Sequence, residues 1–217
     1  MDFLEEVFFY RGLFVIIPAI IGLVRWQKIR AIDRPIILAF FFLFINELTR
    51  SEFAKRGYEG YGTYNIGVIL LAFIFLWQFY NWGIFREKKW IAFLLGGIYI
   101  LTWAIDNFVI DDFHKLTRYY RVLMNASLVV MSIAHLNKLI IEERKDLYKN
   151  GRFIITTAIL IYYLYKIILD IFFLRSLSNE ILRTLGNLNM SFVFGEYVFF
   201  LIGIICLPKK KTFFMPS

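Results

Sequence analysis

The chain has 217 residues, 59% of them hydrophobic and 20% aromatic, with 19% charged and a formal net charge of +8. A soluble domain of this size could not bury so much apolar surface, so the composition excludes an ordinary globular protein and points to the membrane. The basic residues lie between apolar runs rather than gathered on one segment, which makes them topology signals and headgroup contacts and argues against a nucleic-acid partner.

Runs of about 20 apolar residues, at 1.5 Å of rise per residue, span a ~30 Å hydrocarbon layer. Seven such runs follow one another at 7–25, 35–49, 64–85, 90–110, 119–141, 153–174 and 185–207. The pattern predicts an all-α polytopic fold: a single domain over residues 1–217 with seven transmembrane helices.

The first run follows "MDFLEEVFFYR", which is acidic where a secretory signal is basic, and no small-residue cleavage motif comes after it. It is therefore expected to remain as a helix. The second run opens at Pro35, where a missing N–H costs nothing, with Asp33 at the positive end of the helix dipole. Trp26, Trp82 and Trp90 fall at the inner ends of the first, third and fourth helices, where an aromatic belt is expected. The sixth run contains Lys166 and Asp170, and the seventh contains Glu196 and Cys206. A lone cysteine excludes a disulfide framework.

Alternate connections differ in charge. Those at 25–34, 86–89, 138–152 and 209–211 carry fifteen of the 25 Lys and Arg. The connections at 50–56, 115–121 and 175–183 carry eight, and Arg11 and Lys166 lie inside helices. The richer set should face the cytoplasm, which puts the N-terminus outside and "LPKKKTFFMPS" inside a bacterial inner membrane.

A weak internal similarity appears at an offset of 110, where "YRGL" at 10–13 meets "YRVL" at 120–123 and Lys28 meets Lys138. It predicts that helices 1–3 and 5–7 are parallel repeats joined by helix 4.

With that topology, the intramembrane polar residues gather at one depth. Arg11, Glu47, Asn65, Asp106, Lys166, Asp170 and Asn189 fall in the outer half, with Glu196 near the midplane. A charge facing lipid costs at least ~2.5–3.5 kcal/mol, so these groups are expected to face a shared polar pocket. Several have a plainer reading beside that one: Glu47 and Arg50, three residues apart near a helix end, would neutralise each other. Lys166 and Asp170, four residues apart, would pair on their own helix, and Arg11 and Asp106 would reach the headgroups. Glu196 has no charge near it on its own helix, so it either finds a partner across the bundle or is protonated.

Other chemistries find little support. His114, His135 and Cys206 are scattered, which excludes a zinc or haem site, so no metal and no cofactor are expected. "GYEGYG" at 57–62 lacks the strand and the Lys-Ser/Thr of a phosphate-binding loop. The helix count resembles that of retinal proteins, but the seventh helix has no lysine. The repeat is similar to that of three-plus-one-plus-three sugar transporters, without their Pro-Gln signatures, and vitamin-precursor transporters with paired tryptophans match no better. Glu47 or Asp106 with Glu196 would supply the two carboxylates of a membrane-embedded lipid hydrolase, a resemblance limited to helix count and buried acids.

The chain as a whole, with "FVIIPAIIGLVRWQK" in helix 1, Glu47 late in helix 2, Asn65 opening helix 3 and "LPKKK" after helix 7, resembles small seven-helix bacterial membrane proteins without an assigned role. The resemblance implies the fold and names no activity. The residues themselves favour a small polar or cationic ligand held in an outward-facing intramembrane pocket for transport or sensing. Glu196, Glu47 and Asp170 would serve as anionic contacts, Arg11 and Lys166 as counter-charges, and Asn65, Asp106 and Asn189 as further lining. The alternative is a non-catalytic accessory or scaffold subunit with membrane-protein partners.

Overall fold

A computed structural model of the chain describes residues 14–56, 61–110, 113, 115, 117–142, 146–173 and 179–208. Among them are seven α-helices: α1 Ile16–Val24, α2 Arg34–Lys55, α3 Tyr61–Asn81, α4 Lys89–Ile105, α5 Tyr119–Glu142, α6 Gly151–Phe173 and α7 Asn179–Cys206. Short 3-10 turns at Ala31–Asp33 and Leu147–Lys149 lead into α2 and α6, and α4 continues into a π-helical turn at Asp106–Ile110.

Each apolar run overlaps one of these helices, with shifted boundaries: α3 occupies Tyr61–Asn81 instead of 64–85, the part of the first run before residue 14 lies outside the described residues, and two shifts are larger. α2 runs on to Lys55 instead of ending at 49, and α7 begins at Asn179 instead of 185. Apolarity marks the part of a helix that suits hydrocarbon. The helix itself persists wherever good formers such as Arg, Glu, Ala and Lys follow, as they do in "RSEFAK".

Four segments are long and apolar enough to cross a membrane: Tyr61–Asn81, Lys89–Ile110, Tyr119–Glu142 and Gly151–Ile171. The apolar part of α7 is shorter, Ser191–Cys206.

Neighbours in sequence are mostly neighbours in space. α1 packs on α2, α2 on α3, α5 on α6 and α6 on α7, while α1 also meets α7 and α3 meets α5. α4 packs chiefly on α3 and α5 and turns most of its side chains outward, with Phe93 76% and Trp90 61% exposed. Such a surface is compatible with lipid contact. Trp26 is half-buried, whereas Trp82 departs from the expected belt: it is 3% exposed and inside the bundle.

Lipid tails are as apolar as leucine, so helices in a membrane associate through close packing and interhelical hydrogen bonds rather than through a hydrophobic force. Both are present. A Cβ at Gly151 on α6 would stand 2.6 Å from the Leu207 backbone nitrogen, just beyond α7, and one at Gly203 would stand 2.5 Å from Ile155 Cγ1. Glycine at both positions lets the two backbones touch.

At the same end of the bundle, Asp33 is fully buried and ties the turn before α2 to the end of α3 and to α6. Its carboxylate accepts two hydrogen bonds from Arg152 of α6, Nε to Oδ1 at 2.7 Å and Nη2 to Oδ2 at 3.1 Å. It also accepts one from Trp82 Nε1 at 2.9 Å, and Arg30 reaches Oδ2 at 3.3 Å. Gln78 of α3 secures the start of α2 by accepting from the Ile36 N–H at 2.7 Å and donating to the Ile32 carbonyl at 2.9 Å. Trp82 stacks on His135 of α5 with centroids 4.4 Å apart, and His135 Nδ1 meets Thr156 Oγ1 of α6 at 2.8 Å. Arg152 therefore does more than mark topology: it compensates a buried charge.

Next to this cluster lies an apolar layer of the core, with Phe40, Phe75, Phe79, Phe200, Leu128 and Ile159 all buried. Phe40 and Phe200 join α2 to α7 at a centroid distance of 4.6 Å. Phe75 meets Tyr163 at 5.8 Å, and Phe79, one turn further along α3, meets His135 at 6.1 Å.

Candidate functional site

Beyond the apolar layer, at the end where α2 joins α3 and α6 joins α7, lies a cavity of about 310 Å³. Helical periodicity brings its lining together. On α5, Arg121, Met124 and Asn125 share a face at spacings of three and four; on α3, Tyr61, Tyr64 and Val68 do the same. α2 adds Phe42, Asn46 and Glu47; α6 adds Tyr162, Tyr163 and Lys166; α7 adds Asn189, Glu196 and Tyr197.

Gly67 opens the cavity wall between α2 and α3. A Cβ there would come within 2.6 Å of the Asn46 side-chain amide. The amide fits only because residue 67 has no side chain.

The strongest polar contact joins α5 to α6. Arg121 Nη2 donates to Asp170 Oδ1, and Asn125 Nδ2 donates to Asp170 Oδ2 at 2.8 Å. All three residues are buried, so the carboxylate and the guanidinium compensate each other out of water. Sequence spacing pairs Asp170 with Lys166, but the hydrogen bonds of Asp170 go across the bundle instead. Lys166 lines the cavity with its Nζ 5.9 Å from the Tyr162 ring centroid, a cation–π distance.

Four of the eight expected residues, Glu47, Lys166, Asn189 and Glu196, line this one cavity, and Asp170 stands behind it on Arg121 and Asn125. Asn65 and Asp106 do other work. Asn65 Nδ2 donates to Asn107 Oδ1 at 2.9 Å and to the Lys115 carbonyl at 2.7 Å. Its Oδ1 accepts from the Thr117 N–H at 3.3 Å and the Thr117 hydroxyl at 3.2 Å. Asn65 thus ties the start of α3 to the connection between α4 and α5. Asp106 Oδ2 accepts from the Tyr120 N–H at 2.9 Å, satisfying one of the unpaired donors in the first turn of α5. Arg11 lies outside the described residues.

Arg121 was the missed member of the site. It opens a helix and therefore counts with the loop cations in any sorting by connection. The available signal was its place two residues inside the run 119–141, one turn before Asn125.

The cavity holds two carboxylates, an ammonium, a guanidinium, several phenols and amides, and buried Asn189 Oδ1 has no hydrogen-bond partner among the described residues. Such a mixture suits binding of a polar solute by charge and hydrogen bonds with aromatic contact. Among the described residues no group of three or more His, Cys, Asp and Glu could hold a metal ion. Comparisons of the chain with protein-family models, with curated proteins and with solved structures find no match.

Proposed function

We propose that this chain is a seven-span inner-membrane protein that binds a small polar or cationic ligand in the cavity between α2, α3, α5, α6 and α7, for transport or sensing. The observation that carries this reading is the convergence of Glu47, Lys166, Arg121, Glu196 and Asn189 from four helices on one cavity, with a buried Asn189 oxygen lacking a partner among the described residues. Charged groups inside a membrane are expensive and mark ligand or ion sites when they meet around a cavity. The tyrosines add faces that favour cations. The excess of Lys and Arg on the connections at the opposite end supports an orientation in which the cavity lies toward the outer side.

The test is a thermal-shift screen of the purified protein in nanodiscs against simple ammonium solutes, amino acids and sugars. A stabilising solute should lose its effect in Glu196→Gln and in Glu47→Gln. If the solutes that stabilise the native chain stabilise both variants equally, the cavity is not their site.

A further inference from the structure

A second cavity, of about 530 Å³, lies at the opposite end of the bundle, where α3 turns into α4 beside the end of α5. Its geometry begins with Gly83, whose φ of +78° is the left-handed conformation that favours glycine. This bend turns the Trp82 and Gly83 carbonyls toward α5, where Lys138 Nζ donates to them at 3.0 and 3.3 Å. The ammonium is thereby fixed at the cavity wall, closing the negative end of α3. Arg86 and Lys88 on the turn bring two more cations, both exposed, and Glu87 and Glu142 bring two carboxylates. Ile84, Phe85 and Ile91 supply an apolar side.

Just past this cavity begins the outward face of α4, with Trp90, Phe93 and Leu94 at 61%, 76% and 52% exposure. A solute that fitted the charges of the cavity and also had a hydrocarbon tail would lay that tail along this face. Cations alone would suit any anionic lipid. The two carboxylates do not: they ask for a donor-bearing cation beside the phosphate.

We propose that this cavity is a headgroup site for a phospholipid whose phosphodiester carries a primary ammonium, as in phosphatidylethanolamine. Lys138, Arg86 and Lys88 take the phosphate, and Glu87 and Glu142 take the ammonium. A quaternary ammonium has no N–H to give the carboxylates, and a glycerol headgroup has no cation, so the site discriminates by hydrogen bonding and not by net charge alone.

The experiment is titration of the full chain, delipidated in a mild detergent, with phosphatidylethanolamine, phosphatidylcholine and phosphatidylglycerol of the same acyl chains, read by native mass spectrometry. Phosphatidylethanolamine should be retained about tenfold better than either other lipid, the scale of one charge-assisted hydrogen bond. Arg86→Gln/Lys88→Gln, at exposed positions, should weaken all three, and Glu87→Gln/Glu142→Gln should erase the preference for phosphatidylethanolamine over phosphatidylglycerol. The melting temperature without added lipid checks that both double variants fold. Equal retention of phosphatidylcholine, an unchanged preference in the glutamate double variant, or stabilisation by soluble phosphoethanolamine as strong as by the lipid would each overturn the proposal.

Discussion

Arg152 and Asp33 lie 119 residues apart in the chain and meet through two hydrogen bonds, at 2.7 and 3.1 Å, with the carboxylate fully out of water. Removing one member of such a pair strands the other, and the cost is about 3–5 kcal/mol. Arg152→Ala should therefore lower the unfolding midpoint sharply. Trp82→Phe, which removes one neutral donor to the same carboxylate, should cost less, about 1.5–3 kcal/mol. Arg30→Ala should be near neutral, because the Arg30 side chain is 40% exposed and its contact weakly geometric. Denaturant titration of the three variants checks the order.

The pair Arg121 and Asp170 should show coupling of the same kind. Arg121→Met and Asp170→Leu are each expected to destabilise by about 3 kcal/mol or more, while the double variant recovers most of the loss, since no buried charge is left over. A double-mutant cycle measures it. Additive losses would mean that the two charges are compensated by other groups.

How much of this could be read beforehand follows from these two pairs. Hydrophobic runs fix where helices lie because a helix in lipid needs length and apolarity, and both are written locally. Partners across the bundle are not. Lys166 stands four residues from Asp170 and is its obvious mate by spacing, yet Arg121, 49 residues away, holds the carboxylate with Asn125 beside it. Asp33 looked like a dipole charge at a helix start and Trp82 like a belt residue; each is a member of one buried cluster whose third member, Arg152, sat among the loop cations. Glu47, Asn189 and Glu196 were assigned to the cavity by depth, which is set by rise per residue. Asn65 and Asp106 have the same depth and another direction, and direction around a helix of nearly uniform apolarity leaves little trace in sequence.

Glycine positions give a graded test of packing. Gly151→Ala places a methyl against the backbone of the last turn of α7 and of Leu207 just after it, which cannot step aside, and should separate the ends of α6 and α7 at a cost of about 1–3 kcal/mol. Gly67→Ala meets only the Asn46 side chain, which can rotate, so the loss in stability should be smaller. Solute binding in the larger variant should nonetheless fall, because the displaced amide has the cavity as its open side. Melting temperature and solute-induced shift, measured on both variants, separate the two effects.

Lys138→Met should loosen the corner between α3 and α4. It removes both donors to the Trp82 and Gly83 carbonyls, for an expected loss of about 1–3 kcal/mol, and hydrogen exchange should rise first at residues 82–88.

Orientation has a direct assay. With Cys206 replaced by serine, Lys88→Cys should react with a membrane-impermeant thiol reagent only from the cytoplasmic side, and Lys115→Cys only from the other. Both positions are exposed. Labelling of the two from one side would break the proposed topology, and labelling of each from the opposite side would reverse it.

The rings set one turn apart along α3 have an electrical meaning. Phe75 touches Tyr163 at the cavity and Phe79 touches His135 at the other polar cluster, so the two polar regions are separated by phenyl rings one helical turn apart. Phenyl rings offer a passing ion nothing in exchange for its water, so this layer of α3 is a local barrier to charge.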